Sequence, residues 1–198
     1  MGQRMLKVFE NVLKRLKGEC LETDYEPLLE ADILGWLSHL LATQPEVNRQ
    51  QIHLDTRVCG AGGRFDIAIG PVRTQGPKRP CIQPQFALEV KIFPRIGFTN
   101  QQHRVRYEHI LNDDLVKLDR LDPTVRLRAA LIVDGRGYLK GTYHGHERRE
   151  FLIDKRNQIA PQVHVFIVRL ADGDWQIEHE DPDPERCYFR TRVQPEDR

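Results

Sequence analysis

Asp66, Glu89 and Lys91 are the residues whose types and spacing point most directly to chemistry. Glu89 and Lys91 lie in the stretch Phe86-Ala87-Leu88-Glu89-Val90-Lys91-Ile92-Phe93. Side chains on a strand alternate between its faces. Phe86, Leu88, Val90 and Ile92 therefore make one apolar face, and Glu89 and Lys91 project together from the other, roughly 6–7 Å apart at about 3.3 Å of rise per residue. In Arg64-Phe65-Asp66-Ile67-Ala68-Ile69-Gly70 the same alternation sets Phe65, Ile67 and Ile69 on one face, with Asp66 and Ala68 opposite. If these strands pair as a hairpin, Asp66 comes beside Glu89 and Lys91. Crowded carboxylates repel, and a divalent cation between them is the simplest remedy. A lysine next to such an ion holds a water or an anionic oxygen, or carries a proton if its pKa is depressed. The competing reading is a solvated ion pair on the wet face of an amphipathic hairpin, with Asp66 closing a turn.

The elements around these residues follow from periodicity. Residues 3–17 form an amphipathic helix ended by Gly18. A second helix runs from about Glu26, with Pro27 in its first turn, to Ala42. Its apolar stripe is Ile33, Leu34, Leu37, Leu40 and Leu41. One turn back that stripe reaches Glu30, a carboxylate placed to extend over the sheet or simply to sit in the field of the helix start. Ile52, Leu54, Thr56 and Val58 alternate with polar residues as a half-buried first strand. Gly60-Ala61-Gly62-Gly63 makes a turn, with neither the helix nor the Lys-Ser/Thr pair of a phosphate loop behind it. Pro71 to Pro84 reads as a long mobile connection. Thr99 or Asn100 caps a helical region that reaches Leu121 and breaks near Asn112-Asp113-Asp114, with Leu111, Leu115 and Leu118 inward and Lys117 available to solvent. Residues 128–134 form a buried strand, about 147–156 a helix, 163–170 a strand and 175–178 a short edge strand.

At 198 residues the expected organisation is a single domain over 1–198, with a core at about 26–134, the N-terminal helix before it, and C-terminal strands and an acidic tail over 163–198. The apolar fraction of 39% and charged fraction of 30% fit a globular protein, and no apolar run approaches the ~20 residues that span a bilayer. No signal-peptide core is apparent, so the expected location is cytoplasmic. The four cysteines show no CxxC or finger spacing and are expected to be reduced structural thiols. No Ser or Cys sits in a nucleophile elbow. His144-Gly145-His146 is read as a solvated loop, in preference to a metal site. The net charge of +1 divides unevenly: residues 64–106 carry eight cations against two anions, and residues 171–198 carry nine anions against four cations. Positive charge around an acidic pair suits a polyanionic substrate.

The order helix, three strands, helix, strand, with Asp66 in RFDIAIG and Glu89-Val90-Lys91 in FALEVKIF, resembles the PD-(D/E)xK nuclease superfamily. That group includes type II restriction endonucleases and archaeal Holliday-junction resolvases. Glu30 in LLEADILGWL stands where some members carry a helical acidic residue. The resemblance covers roughly Glu26 to Val133. It implies an α/β fold with a central mixed β-sheet flanked by helices, the restriction endonuclease-like αβββαβ core. It further implies Mg²⁺, with Mn²⁺ able to substitute, bound by Asp66, Glu89 and the backbone carbonyl of Val90. Lys91 would orient the attacking water and stabilise the pentavalent phosphorus, and Glu30 would complete the shell. The expected activity is phosphodiester hydrolysis in DNA, by a homodimer if both strands are cut. Backbone phosphate contacts are expected from Arg64, Arg73, Lys78, Arg79, Arg95, Arg104 and Arg106. Gln101-Gln102 and Tyr107 match the glutamine/tyrosine motif of some subfamilies only with altered spacing. The alternatives are a nucleic-acid- or partner-binding module on the same fold without turnover, and a nuclease directed at RNA.

Overall fold

Phe86–Phe93 and Leu127–Asp134, two strongly apolar stretches of the chain, run side by side as parallel strands at the centre of a six-stranded sheet. The computed structural model describes residues 2–23, 27, 29–74 and 80–182. Its strands in chain order are β1 (Ile52–Arg57), β2 (Arg64–Ile69), β3 (Val72–Arg73), β4 (Cys81–Ile82), β5 (Phe86–Phe93), β6 (Leu127–Asp134), β7 (Thr142–Tyr143), β8 (His146–Glu147), β9 (His164–Ala171) and β10 (Asp174–Glu180). Its helices are α1 (Gly2–Leu16), α2 (Glu30–Ala42), α3 (Asn100–His109), α4 (Leu115–Asp119) and α5 (Arg148–Ile159). The large sheet is ordered β1-β2-β5-β6-β9-β10. β5, β6 and β9 are parallel, and the outer pairs are antiparallel.

This is the expected mixed α/β sheet flanked by helices, and its layers follow from handedness. Parallel neighbours need crossovers, and crossovers are right-handed. The links β5–α3–α4–β6 and β6–α5–β9 step across the sheet in the same direction, so their helices share one face. There Tyr107, Leu115, Leu118 and Leu152 pack on Ala87, Phe93, Ala130 and Ile132. On the other face Phe9 and Leu13 of α1, with Ile33 and Leu37 of α2, pack on Leu88, Val90, Leu131 and Phe166. The alternation read from β5 thus separates two cores. β6 is buried at all eight positions, as a central parallel strand should be.

Several expectations are corrected. α1 does not stop at Gly18 but passes into a π-turn over Lys17–Leu21 that buries Cys20 and Leu21. α2 begins at Glu30, where Asp32 turns back to accept the Leu29 amide at 2.9 Å, and Glu26 lies outside the described residues. Leu54 is exposed on the edge strand β1. Phe65 joins the α3–α5 core, leaving the Ile67 and Ile69 face. Pairing between β2 and β5 stops at Ile67, and the neighbouring Asp55 takes φ +40°, so β2 rotates about its axis there. In the connection after β2, β3 and β4 pair antiparallel, and residues 75–79 between them lie outside the described residues. Gly70 opens the connection, because a Cβ there would lie 2.0 Å from the Gln83 carbonyl oxygen.

The cysteines are the clearest correction. Ile82 bridges Val58, which brings Cys59 and Cys81 to a Cα separation of 5.2 Å, and they form a disulfide. Cys20 is buried and free, and Cys187 lies outside the described residues. The expectation of reduced thiols is therefore overturned at Cys59 and Cys81. No described helix is long and apolar enough to cross a membrane.

Candidate functional site: a split in the sheet

The ladder between β2 and β5 ends at the pair Ile67 and Leu88. One step further the register would set Asp66 across from Glu89, but the strands part. Asp66 fills the opening with its own carboxylate, and Oδ2 accepts the Val90 amide at 2.7 Å. A strand amide lies in the plane of its sheet. Asp66 therefore enters the split edge-on, where the sequence placed it on the face beside Glu89.

Helices from both layers converge on this opening. From α2, Glu30 places Oε2 3.7 Å from Lys91 Nζ and Oε1 2.5 Å from Arg106 Nη1 of α3. Opposite, Asp114 Oδ2 lies 3.3 Å from Lys91 Nζ, which also donates to the Val90 carbonyl at 3.0 Å. Lys117 of α4 brings Nζ to 2.6 Å from Glu89 Oε1 and donates to the Arg64 carbonyl at 2.6 Å. The Lys117–Glu89 contact is close but poorly angled. It acts as an ion pair, and Glu89 Oε1 has no well-directed hydrogen-bond donor.

Four carboxyl groups (Glu30, Asp66, Glu89, Asp114) thus face three cations (Lys91, Arg106, Lys117). The electrostatics reflect that imbalance. Burial, and next the charge of Asp66, pushes Glu89 up to about 9, while Lys117 offsets this only in part. Burial also raises Glu30 against the pull of Lys91 and Arg106, and raises Asp114 against Lys91 and Lys117. For Lys91, burial works to lower the pKa, but Asp114, Glu30, Asp66 and Glu89 together raise it. Lys91 is held as an ammonium, the form that donates hydrogen bonds and cannot take up a further proton.

The set can hold a hard divalent cation. Asp66, Glu89 and the Val90 carbonyl offer oxygen donors only, and a dication would relieve the acid crowding that raises Glu89. Among the described residues, the only three His, Cys, Asp or Glu side chains whose ligand atoms lie within 4.8 Å of one another are His164, His179 and Asp181, elsewhere in the fold.

Asp114 and Lys117 were not legible as site residues, and Lys117 was expected in solvent. A π-turn over Ile110–Asp114 joins α3 to α4 and turns both inward. Arg106, expected on phosphates, is half-buried and committed to Glu30, with its guanidinium 4.5 Å over Phe98. Arg64, Arg73, Arg95 and Arg104 are exposed; Arg64 pairs with Asp55 and Arg104 with Glu108. Lys78 and Arg79 lie outside the described residues. Gln102 is a capping residue for Thr99, and the Tyr107 hydroxyl donates to the Arg148 carbonyl. His144 and His146 pack around Phe151. A cavity of about 660 Å³ opens beside the start of α3, lined by Arg104, Arg136, Arg148, Tyr138 and Tyr143 among others.

No family model matches the chain, and no curated protein matches it. Among solved structures it is similar to the Pyrococcus furiosus protein SfsA in complex with Ca²⁺, at 9% identity and a TM-score of 0.27, over 76% of this chain. The chain spans 63% of that protein. A likeness this weak assigns neither family nor activity.

Proposed function

We propose that this chain is a Mg²⁺-dependent nuclease that hydrolyses phosphodiester bonds in DNA. The observation that carries the reading is Asp66 seated in the split on the Val90 amide, with Glu89 buried beside it and Lys91 charged. Asp66, Glu89 and the Val90 carbonyl would hold the ion, and Mn²⁺ would substitute. When bound, the ion supplies Lewis-acid polarisation of the scissile phosphate and a more acidic water. Lys91 stays protonated, places a water or phosphate oxygen, and counters the charge that builds in the transition state. Glu30 and Asp114 hold that ammonium from two sides, and Arg106 fixes Glu30. α3 links this split to the cavity, since Arg106 reaches the acids while Arg104 lines the opening. Arginines beside tyrosines suit phosphates beside unstacked bases.

One observation favours a second reading. Lys117 already sits on Glu89, as in a module that binds nucleic acid or a partner without turnover. Incubating plasmid, linear duplex, single-stranded DNA and RNA with Mg²⁺ or Mn²⁺ separates the readings. The nuclease reading expects metal-dependent cutting of DNA by wild type and none by Lys91→Ala. If both proteins are inert while a fluorescent duplex binds with salt-dependent affinity, the module is correct. Cutting confined to RNA would change the substrate.

A further inference from the structure

A second cluster of metal-ligating side chains lies two strands away from Glu89 and on the opposite face of the sheet. β9 and β10 pair with Phe166 across from His179, and that register continued by two residues sets His164 across from Asp181. Residues two apart on a strand share a face. His179 of β10 and Asp181, one residue past its end, therefore stand beside His164 of the neighbouring strand, on the side covered by α1. The side chains converge: His164 Nδ1 is 2.9 Å from His179 Nε2 and 3.6 Å from Asp181 Oδ1, and His179 Nε2 is 3.4 Å from the same oxygen.

We propose that His164, His179 and Asp181 form a binding site for a zinc-class transition-metal ion. Bonds of about 2.0–2.1 Å in a tetrahedron require ligand atoms about 3.3–3.4 Å apart. The three separations fall around that value. Two imidazoles and one carboxylate suit Zn²⁺ or Co²⁺ and not the hard, all-oxygen coordination of Mg²⁺ or Ca²⁺. The surroundings are those of a built site. Glu10 of α1 places Oε1 3.4 Å from His179 Nδ1, and a proton shared there leaves Nε2 its lone pair for the ion. The His179 ring stacks on Phe166 at 4.2 Å, which fixes its plane. Arg156 donates to the Asp181 carbonyl at 2.7 Å and holds the third ligand's backbone. The histidines are largely buried while the Asp181 side chain is 74% exposed, so an ion would enter from solvent and keep an open fourth position. Without metal, the same geometry is a His–His hydrogen bond. The proposal does not depend on the nuclease reading.

The test is a Zn²⁺ titration of the full chain in competition with a chromogenic chelator, with Co²⁺ absorption reporting coordination. One Zn²⁺ per chain is expected in wild type and in the doubly substituted Asp66→Asn, Glu89→Gln protein. His179→Phe, which keeps the ring stack, and Asp181→Asn should each weaken binding at least about 100-fold, and Glu10→Gln about 10- to 100-fold. Circular dichroism confirms the fold of each variant. If His179→Phe does not fold, the exposed Asp181→Asn decides alone. Absence of stoichiometric Zn²⁺ in wild type overturns the site. So does unchanged affinity in Asp181→Asn, or loss of the ion in the Asp66, Glu89 variant.

Discussion

Glu89 should make the metal-free protein less stable as pH rises, and Glu89→Gln should remove that loss. Its carboxyl is 3% exposed and is displaced from an ordinary 4.5 to about 9 in the folded state. A carboxyl whose folded pKa lies above its unfolded one takes up a proton on folding, so stability falls as pH climbs through the window between the two. From 4.5 to pH 7 is about 2.5 pH units, and at about 1.4 kcal/mol each the burden at neutrality is about 3–3.5 kcal/mol. Glutamine keeps the shape and cannot ionise. At neutral pH the folded-state carboxyl is already protonated, so the variant gives up no Lys117 attraction and gains the whole burden, about 3 kcal/mol. In a chain of this size that raises Tm by about 6–12 °C. The assay is thermal unfolding followed by circular dichroism in EDTA at pH 5, 7 and 8.5. At pH 5 the burden is below about 1 kcal/mol, so variant and wild type should melt together. The gain should grow with pH and level off near 9. Saturating Mg²⁺ should reverse the order at pH 8.5, because only wild type offers the ion its full set of ligands. A gain independent of pH, or a variant less stable than wild type in EDTA at pH 8.5, would refute the electrostatic reasoning.

Two further outcomes test the frame around the split. Cys59→Ser should cost about 2–4 kcal/mol, seen as a lower urea midpoint, and dithiothreitol should lower wild type to match while leaving the variant unchanged. Equal sensitivity of both proteins to reductant would place the stabilising bond elsewhere. Gly70→Ala drives a methyl group against the Gln83 carbonyl at 2.0 Å and should destabilise by about 1–3 kcal/mol or more in the same assay. An unchanged midpoint would mean that the β3–β4 pair gives way freely.

What could be read from the sequence was what one strand carries by itself. Alternation in Phe86–Phe93 separates Glu89 and Lys91 from Leu88 and Val90 whatever surrounds them, and the two cores keep that division. Glu30 was placed by extending a helical stripe one turn, and it does reach Lys91. The features that escaped depend on pairing between distant segments or on irregular backbone. Asp114 and Lys117 turn inward through a π-turn, which a regular helical period does not contain. Cys59 and Cys81 are 22 residues apart and meet only because Ile82 bridges Val58, and spacing alone cannot reveal such a pairing. Asp66 shifts from the face of the sheet into its plane because β2 leaves β5, a parting that neither strand announces. The edge strand read at 175–178 stops short of His179 and Asp181, and their meeting with His164 requires the β9–β10 register.

The central claim is that Asp66, Glu89 and the Val90 carbonyl together hold a divalent ion at the split. Anomalous diffraction from crystals soaked in Mn²⁺ tests it directly. The expected result is a peak within bonding distance of one oxygen from each of the three residues, with Lys117 withdrawn from Glu89 and no peak in Asp66→Asn. Crystals that take up no Mn²⁺ between Asp66 and Glu89, with Lys117 still against the carboxylate, would contradict it.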